Sequence, residues 1–217
     1  MKRSHLAVSL GALMLAAAAP AAAQHTTSAR VQAFQANLAP VPHDPAADAG
    51  SNVTGQATLL RRGNNVRTIL SARGLSPHLP HAMHIHGELE ALNECPSLAA
   101  DKGGDGLIDT VDGLPDYGPI DVSLTSSGGT GAGFDDALAL DRFPVAGRSG
   151  ALTYHRSIEV PPEVAANLGR LHIVVHGADL NGNGMYDFGP GTSSLSPLAG
   201  APVPLEAELP VACGTID

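Results

Sequence analysis

The sequence predicts an all-β domain with long loops, on three observations. Glycine and proline are abundant, 25 and 17 of 217 residues, and both disfavour helix interiors. No long stretch sustains the 3.6-residue apolar period of a substantial helix. Short apolar or alternating runs recur instead, separated by turn-forming residues, which is the pattern of many-stranded β folds.

Residues 31–38 form the first candidate strand, and residues 40–51 a loop rich in Pro, Ala and Asp. Residues 53–60 and 66–72 read as a hairpin, because Gly63-Asn64-Asn65 between them tolerates left-handed backbone. Residues 81–89 follow as a strand carrying His84 and His86. Residues 93–119 read as a polar, Gly-rich excursion. Residues 120–125 and 150–160 read as strands. Residues 161–169 predict one short helix, with Pro161-Pro162 at its start and Gly169 after its end. Residues 171–175 are nearly all apolar and suit a central strand. Residues 181–200 read as a second long loop, and residues 203–212 close the domain.

The first residues predict a leader rather than fold. Lys2 and Arg3 precede an apolar run over residues 6–19, and Ala21-Ala22-Ala23 offers small residues for cleavage. The mature chain is expected to be residues 24–217, one exported domain, periplasmic or secreted. No later segment has the length and apolarity of a membrane span. Without residues 1–23, ten basic residues face 21 acidic ones, a net charge of −11. Such a surface does not attract nucleic acid and opposes anionic substrates.

Cys95 and Cys213 are the two cysteines. In an exported chain an even pair reads first as a disulfide, with free thiols or thiolate ligands as the alternative.

His84-Ile85-His86 carries the clearest chemistry. On a strand, side chains at i and i+2 share a face, so two imidazoles stand side by side, as copper and zinc sites use them. Residues 171–176 read as another apolar strand, ending in His176. If the strands meet, three nitrogens converge; the competing reading is a polar strand face. His78 and His81 are expected to be solvated in a Pro-containing loop, with an auxiliary copper ligand as the alternative for either. His25 and His43 are expected in flexible N-terminal segments. His155 is expected on another strand, and His172 too far along its strand to share a metal with His176.

Two segments follow the twelve-residue calcium-loop pattern. Residues 101–112 place Asp101, Asp105, Asp109 and Asp112 at positions one, five, nine and twelve, with Gly106 at six. Gly103 at position three and the short Asp112 depart from it. Residues 179–187 place Asp179, Asn181, Asn183 and Asp187 at one, three, five and nine, with Gly184 at six; Pro190 stands where an acid would close the loop. Solvated acidic turns are the alternative for both.

Together, His84-x-His86 with Cys95, residues 169–176 ending in His176, and Val211-Ala212-Cys213-Gly214 resemble the copper/zinc superoxide dismutase family, more closely its bacterial CHRD-like relatives. The resemblance implies a Greek-key β-sandwich, a Cys95–Cys213 disulfide tying a long loop to the last strand, and copper on His84, His86 and His176. It also has departures. Asp101 stands where the family's bridging histidine would be, and no histidine occurs between His86 and His155, so zinc is not expected. No arginine occurs in residues 206–212, where the family carries its substrate-guiding arginine; Pro210 stands about there. Three functions follow as expectations: weak or specialised superoxide dismutation on a zinc-free copper site, a non-enzymatic copper-binding module, or a structural domain stabilised by calcium.

Overall fold

The computed structural model describes residues 30–44, 52–88, 91–92, 94–189 and 193–217. The expected leader, His25 and Pro190 lie outside the described residues.

The expected all-β, sandwich-like architecture is what the chain forms. Eight strands are hydrogen-bonded in the order β5-β4-β7-β8-β1-β2-β3-β6. They are β1 (Gln32–Pro40), β2 (Thr54–Arg62), β3 (Asn65–Arg73), β4 (Met83–His86), β5 (Ile120–Ser123), β6 (Leu152–Glu159), β7 (His172–His176) and β8 (Pro210–Thr215). Every pairing is antiparallel. The connections β3–β4, β5–β6 and β6–β7 cross between the two halves, as Greek-key folds require.

The sheet curls on itself. β1 spans both halves: Gln32 to Leu38 pair with β2, while Ala39 and Pro40 pair with Cys213 and Ala212 of β8. Side chains tie the two edge regions: Arg156 and the Tyr154 hydroxyl of β6 both donate to the Thr125 carbonyl, just beyond β5. β3 alternates strictly, with Val66, Thr68, Leu70 and Ala72 turned inward. This period-two pattern is what one buried face dictates.

β4 and β7 are buried along their whole length. Met83, Ile85, Ile173 and Val175 enter the main core. By alternation His84, His86, Val174 and the histidines of β7 face the other way, where loops cover them. A second small core packs there: Val41, Ala100, Ile108, Tyr117, Val174 and Cys213. The Cys95–Cys213 disulfide closes this layer across 118 residues, with Cα atoms 5.7 Å apart.

Three segments expected to be irregular or extended contain helices: residues 93–119, 181–200 and 203–212. Residues 93–119 hold α1 (Thr110–Tyr117), and residues 203–212 do not form one closing strand. Leu205–Glu208 is instead a helical turn, α5, and β8 begins only at Pro210. Between these lie α2 (Phe134–Ala137), α3 (Pro162–Asn167) and α4 (Ser196–Ala199). α3 matches the helix expected over residues 161–169, and two-residue turn Gly63-Asn64 joins β2 to β3 as expected.

Candidate metal centre

The convergence expected of the two histidine strands occurs. β4 and β7 are direct neighbours, with Met83 opposite Val175 and His86 opposite His172. Ring centroids lie 5.5 Å apart for His84–His86, 5.1 Å for His84–His176 and 5.9 Å for His86–His176. One nitrogen from each of the three rings lies within 4.8 Å of the others. The ladder is irregular at two of them. The register shifts between Ile85 and His86 against β5, and between Val175 and His176 against β8. Such bulges turn a side chain away from its regular direction.

Hydrogen bonds fix which nitrogen is offered. His84 Nε2 donates to the Ala137 carbonyl (3.1 Å), His86 Nδ1 to that of Gly118 (2.9 Å), and His176 Nδ1 to that of Glu208 (2.7 Å). A carbonyl only accepts, so each of these nitrogens carries the proton of a neutral ring. His84 Nδ1, His86 Nε2 and His176 Nε2 are left as buried lone pairs with no hydrogen-bond partner among the described residues. Buried acceptors are seldom left so; three that face one another fit a shared cation.

The three carbonyls have a common origin. Ala137 ends α2, Glu208 ends α5, and Gly118 caps α1. The last carbonyls of a helix have no partner within it and carry partial negative charge. Each ring is therefore oriented by a helix end that also favours positive charge on the ring's far side, as outer-shell carbonyls do for metal-bound histidine. Gly118 reaches its position with φ of +81°, which favours glycine.

Burial keeps the rings neutral. It lowers His84 well below the usual histidine value, helped by the neighbouring His176 and His86. It lowers His86 to about 3, with His176 adding to the effect, and His176 to about 4. Metal binding needs unprotonated imidazole, and these rings hold that state through neutral pH. The rings also pack edge-on against aromatic neighbours, His84 on Phe143 and His86 on Tyr117.

The expected oxygen ligands behave differently. Among the described residues no second group of three His, Cys, Asp or Glu brings ligand atoms together in this way. Asp101 stands in its own loop, accepting from the amides of Gly104 (2.6 Å) and Gly106 (2.9 Å). Asp105 accepts from Leu107. Asp109 is the N-cap of α1 and exchanges capping-box hydrogen bonds with Asp112. In the second loop Asp179 accepts from Asn183 and Gly184, and the Asn181 and Asn183 amides both donate to Asp187. The two loops share a backbone design. The position-one carboxylate accepts from the position-six glycine, and Gly106 and Gly184 have φ of +86° and +82°.

Other histidines correct the sequence reading. His81, expected in solvent, is fully buried, with its ring nitrogens on the Ser76 and His176 carbonyls. His43, expected in a flexible segment, is also buried. It takes a hydrogen bond from the Ile108 amide and donates to the Pro210 carbonyl, tying the acidic loop to β8. His155 is exposed on β6. His172 meets the Thr215 hydroxyl at 3.0 Å and is not one of the converging set.

A cavity of about 290 Å³ reaches the rings of His84 and His176. The loops carrying α2 and α5 wall it, and no spacing in the sequence announces it.

The chain is similar to the Cu/Zn superoxide dismutase from Brucella abortus. The identity is 16% and the TM-score 0.43, over 86% of this chain and 100% of that one. No protein-family model matches, and no curated protein does. No helix among the described residues is long and apolar enough to cross a membrane.

Proposed function

We propose that this protein is an exported copper-binding protein that holds one copper ion on His84 Nδ1, His86 Nε2 and His176 Nε2, without a zinc partner. The carrying observation is the set of three buried, partnerless imidazole nitrogens facing one another. Three neutral nitrogens suit Cu(I) in trigonal form and Cu(II) with added water. Zinc accepts these donors too, and metal analysis distinguishes the two. A disulfide supports an oxidising compartment.

Superoxide dismutation is the second reading, favoured by the cavity that gives small molecules a path to His84 and His176. Copper, when bound, supplies one-electron chemistry between its two oxidation states. The protein's own contribution is to orient the rings through the three carbonyls and to keep them unprotonated. No Lys or Arg lines the cavity, so an anion reaches the centre without electrostatic guidance. Holding copper is therefore the leading reading and turnover the weaker one. Calcium in the loops of Asp101 and Asp179 belongs to the same proposal as a structural addition, supported by their shared turn design.

The test is metal content and superoxide turnover of mature protein purified from copper-replete cells. One copper per chain, lost in His84→Ala, supports the reading; turnover lost in His176→Ala would raise dismutation above storage. No copper would sink it, zinc in its place included; a chain with neither metal would be left as a structural β domain.

A further inference from the structure

The cavity beside the candidate centre has a chemistry of its own. At about 290 Å³ it offers the space of roughly ten water molecules, at about 30 Å³ each. Its walls are apolar: Phe134, Leu138 and Leu140 on the α2 side face Leu195, Ala201 and Val203 on the α4–α5 side. The charged residues that line it are Asp135 and Glu208, both acidic. Arg142 of the α2 loop does not line the cavity but lies against the outer side of its wall. It pairs with Asp136 at 2.8 Å and donates to the Asp135 carbonyl at 2.6 Å. At the inner end stand the rings of His84 and His176.

We propose that this cavity binds a small apolar amine, an aromatic or branched hydrocarbon body with one amino group, and excludes carboxylates and other anions. The walls supply a driving force to the hydrocarbon, since apolar pockets with few polar groups are the usual form of small-ligand sites. The acidic lining selects the sign of the charge: a cation is drawn in and an anion repelled, with no basic side chain in the lining itself. An amine also offers a nitrogen donor, which copper accepts as readily as imidazole. That last step rests on the three-histidine copper reading, whereas the selection by shape and charge belongs to the cavity itself.

The probes are benzylamine and benzoate, nearly equal in size and opposite in charge. Their binding is followed by calorimetry on full-length mature protein, metal-free and copper-loaded, with metal content measured on the same samples. Benzylamine binds at millimolar concentration or below, and benzoate at least tenfold more weakly. Ala201→Trp fills the mouth of the cavity from an exposed position and weakens benzylamine at least tenfold while copper content stays unchanged. Asp135→Lys, at another exposed position, narrows the preference for the amine. Equal or tighter binding of benzoate overturns the proposal, as does failure of benzylamine to bind. So does an Ala201→Trp protein that folds and binds benzylamine unchanged. Benzylamine binding to a chain that takes up no metal would sink the copper reading and leave the cavity's. Copper without benzylamine binding would do the reverse.

Discussion

Acidification should destabilise the metal-free protein well before most carboxylates titrate. His84, His86 and His176 are fully buried in the folded chain and hold few protons there, whereas the unfolded chain binds them near pH 6.5. As the pH falls below about 6.5, the unfolded state gains protons that the folded state does not. Stability is therefore intact above that pH and declines toward the folded values, about 3 for His86 and about 4 for His176. Between pH 7 and 5 the linkage costs on the order of 2 kcal/mol each for His86 and His176. Together these two cost roughly 4 kcal/mol, against the roughly 5–15 kcal/mol that stabilises a typical domain, and His84, His81 and His43, which burial also lowers, act in the same direction. Glu206 and Glu208 run the other way, because burial raises both and their protonation eases it, so the net loss is smaller. Urea unfolding of chelator-treated protein at pH 7, 6 and 5 measures the effect. The midpoint should fall by an amount worth several kcal/mol, and His86→Phe should reduce the slope by the share that His86 contributes, on the order of 2 kcal/mol between pH 7 and 5. A midpoint unchanged from pH 7 to 5 would refute the burial argument for these rings.

Two further outcomes follow from the layer outside the histidines. Replacing Cys95 and Cys213 by Ser opens a closure of 118 residues. The chain-entropy model puts the loss at about 4–5 kcal/mol, which denaturant unfolding reads directly; a loss below about 1 kcal/mol would mean that loop packing holds the layer without the bond. Calcium should raise the melting temperature, and Asp101→Asn with Asp179→Asn should remove that rise. A melting temperature indifferent to calcium and chelator would leave both loops as hydrogen-bonded turns.

What the sequence exposes is what a local period can encode. His84-x-His86 places two rings on one strand face whatever the rest of the chain does, and the apolar residues before His176 demand a central strand. The hairpin of β2 and β3 was legible for the same reason. α1 was not, because Gly113 and Pro115 lie within it and its polar residues read as loop. Its signal was present, however: Asp109 and Asp112 have the spacing of a capping box. That box competes with the calcium pattern for the same two carboxylates. His43 and His81 could not be placed from their neighbours, since their burial depends on segments 65 and 95 residues away. The carbonyls of Ala137, Gly118 and Glu208 carry no side-chain signature at all.

Those carbonyls decide how the candidate centre depends on the rest of the fold. The strands bring the three rings together, but loops determine which nitrogen each ring offers. His86 shows the dependence most directly. Its Nδ1 proton is held by Gly118 at the C-terminal end of α1, and its ring packs on Tyr117 of the same helix. The N-terminal end of α1 is capped by Asp109, inside the acidic loop, and the preceding Ile108 amide is held by His43. The Tyr117 hydroxyl donates back to the Thr110 carbonyl, and the Thr110 hydroxyl donates to the Glu208 carbonyl that also orients His176. One short helix thus joins the acidic loop to two of the three rings. A disturbance of that loop has a physical route to His86 and His176, whereas His84, held from α2, lies outside it. Loss of the Asp109 cap should therefore loosen two ligands and spare the third.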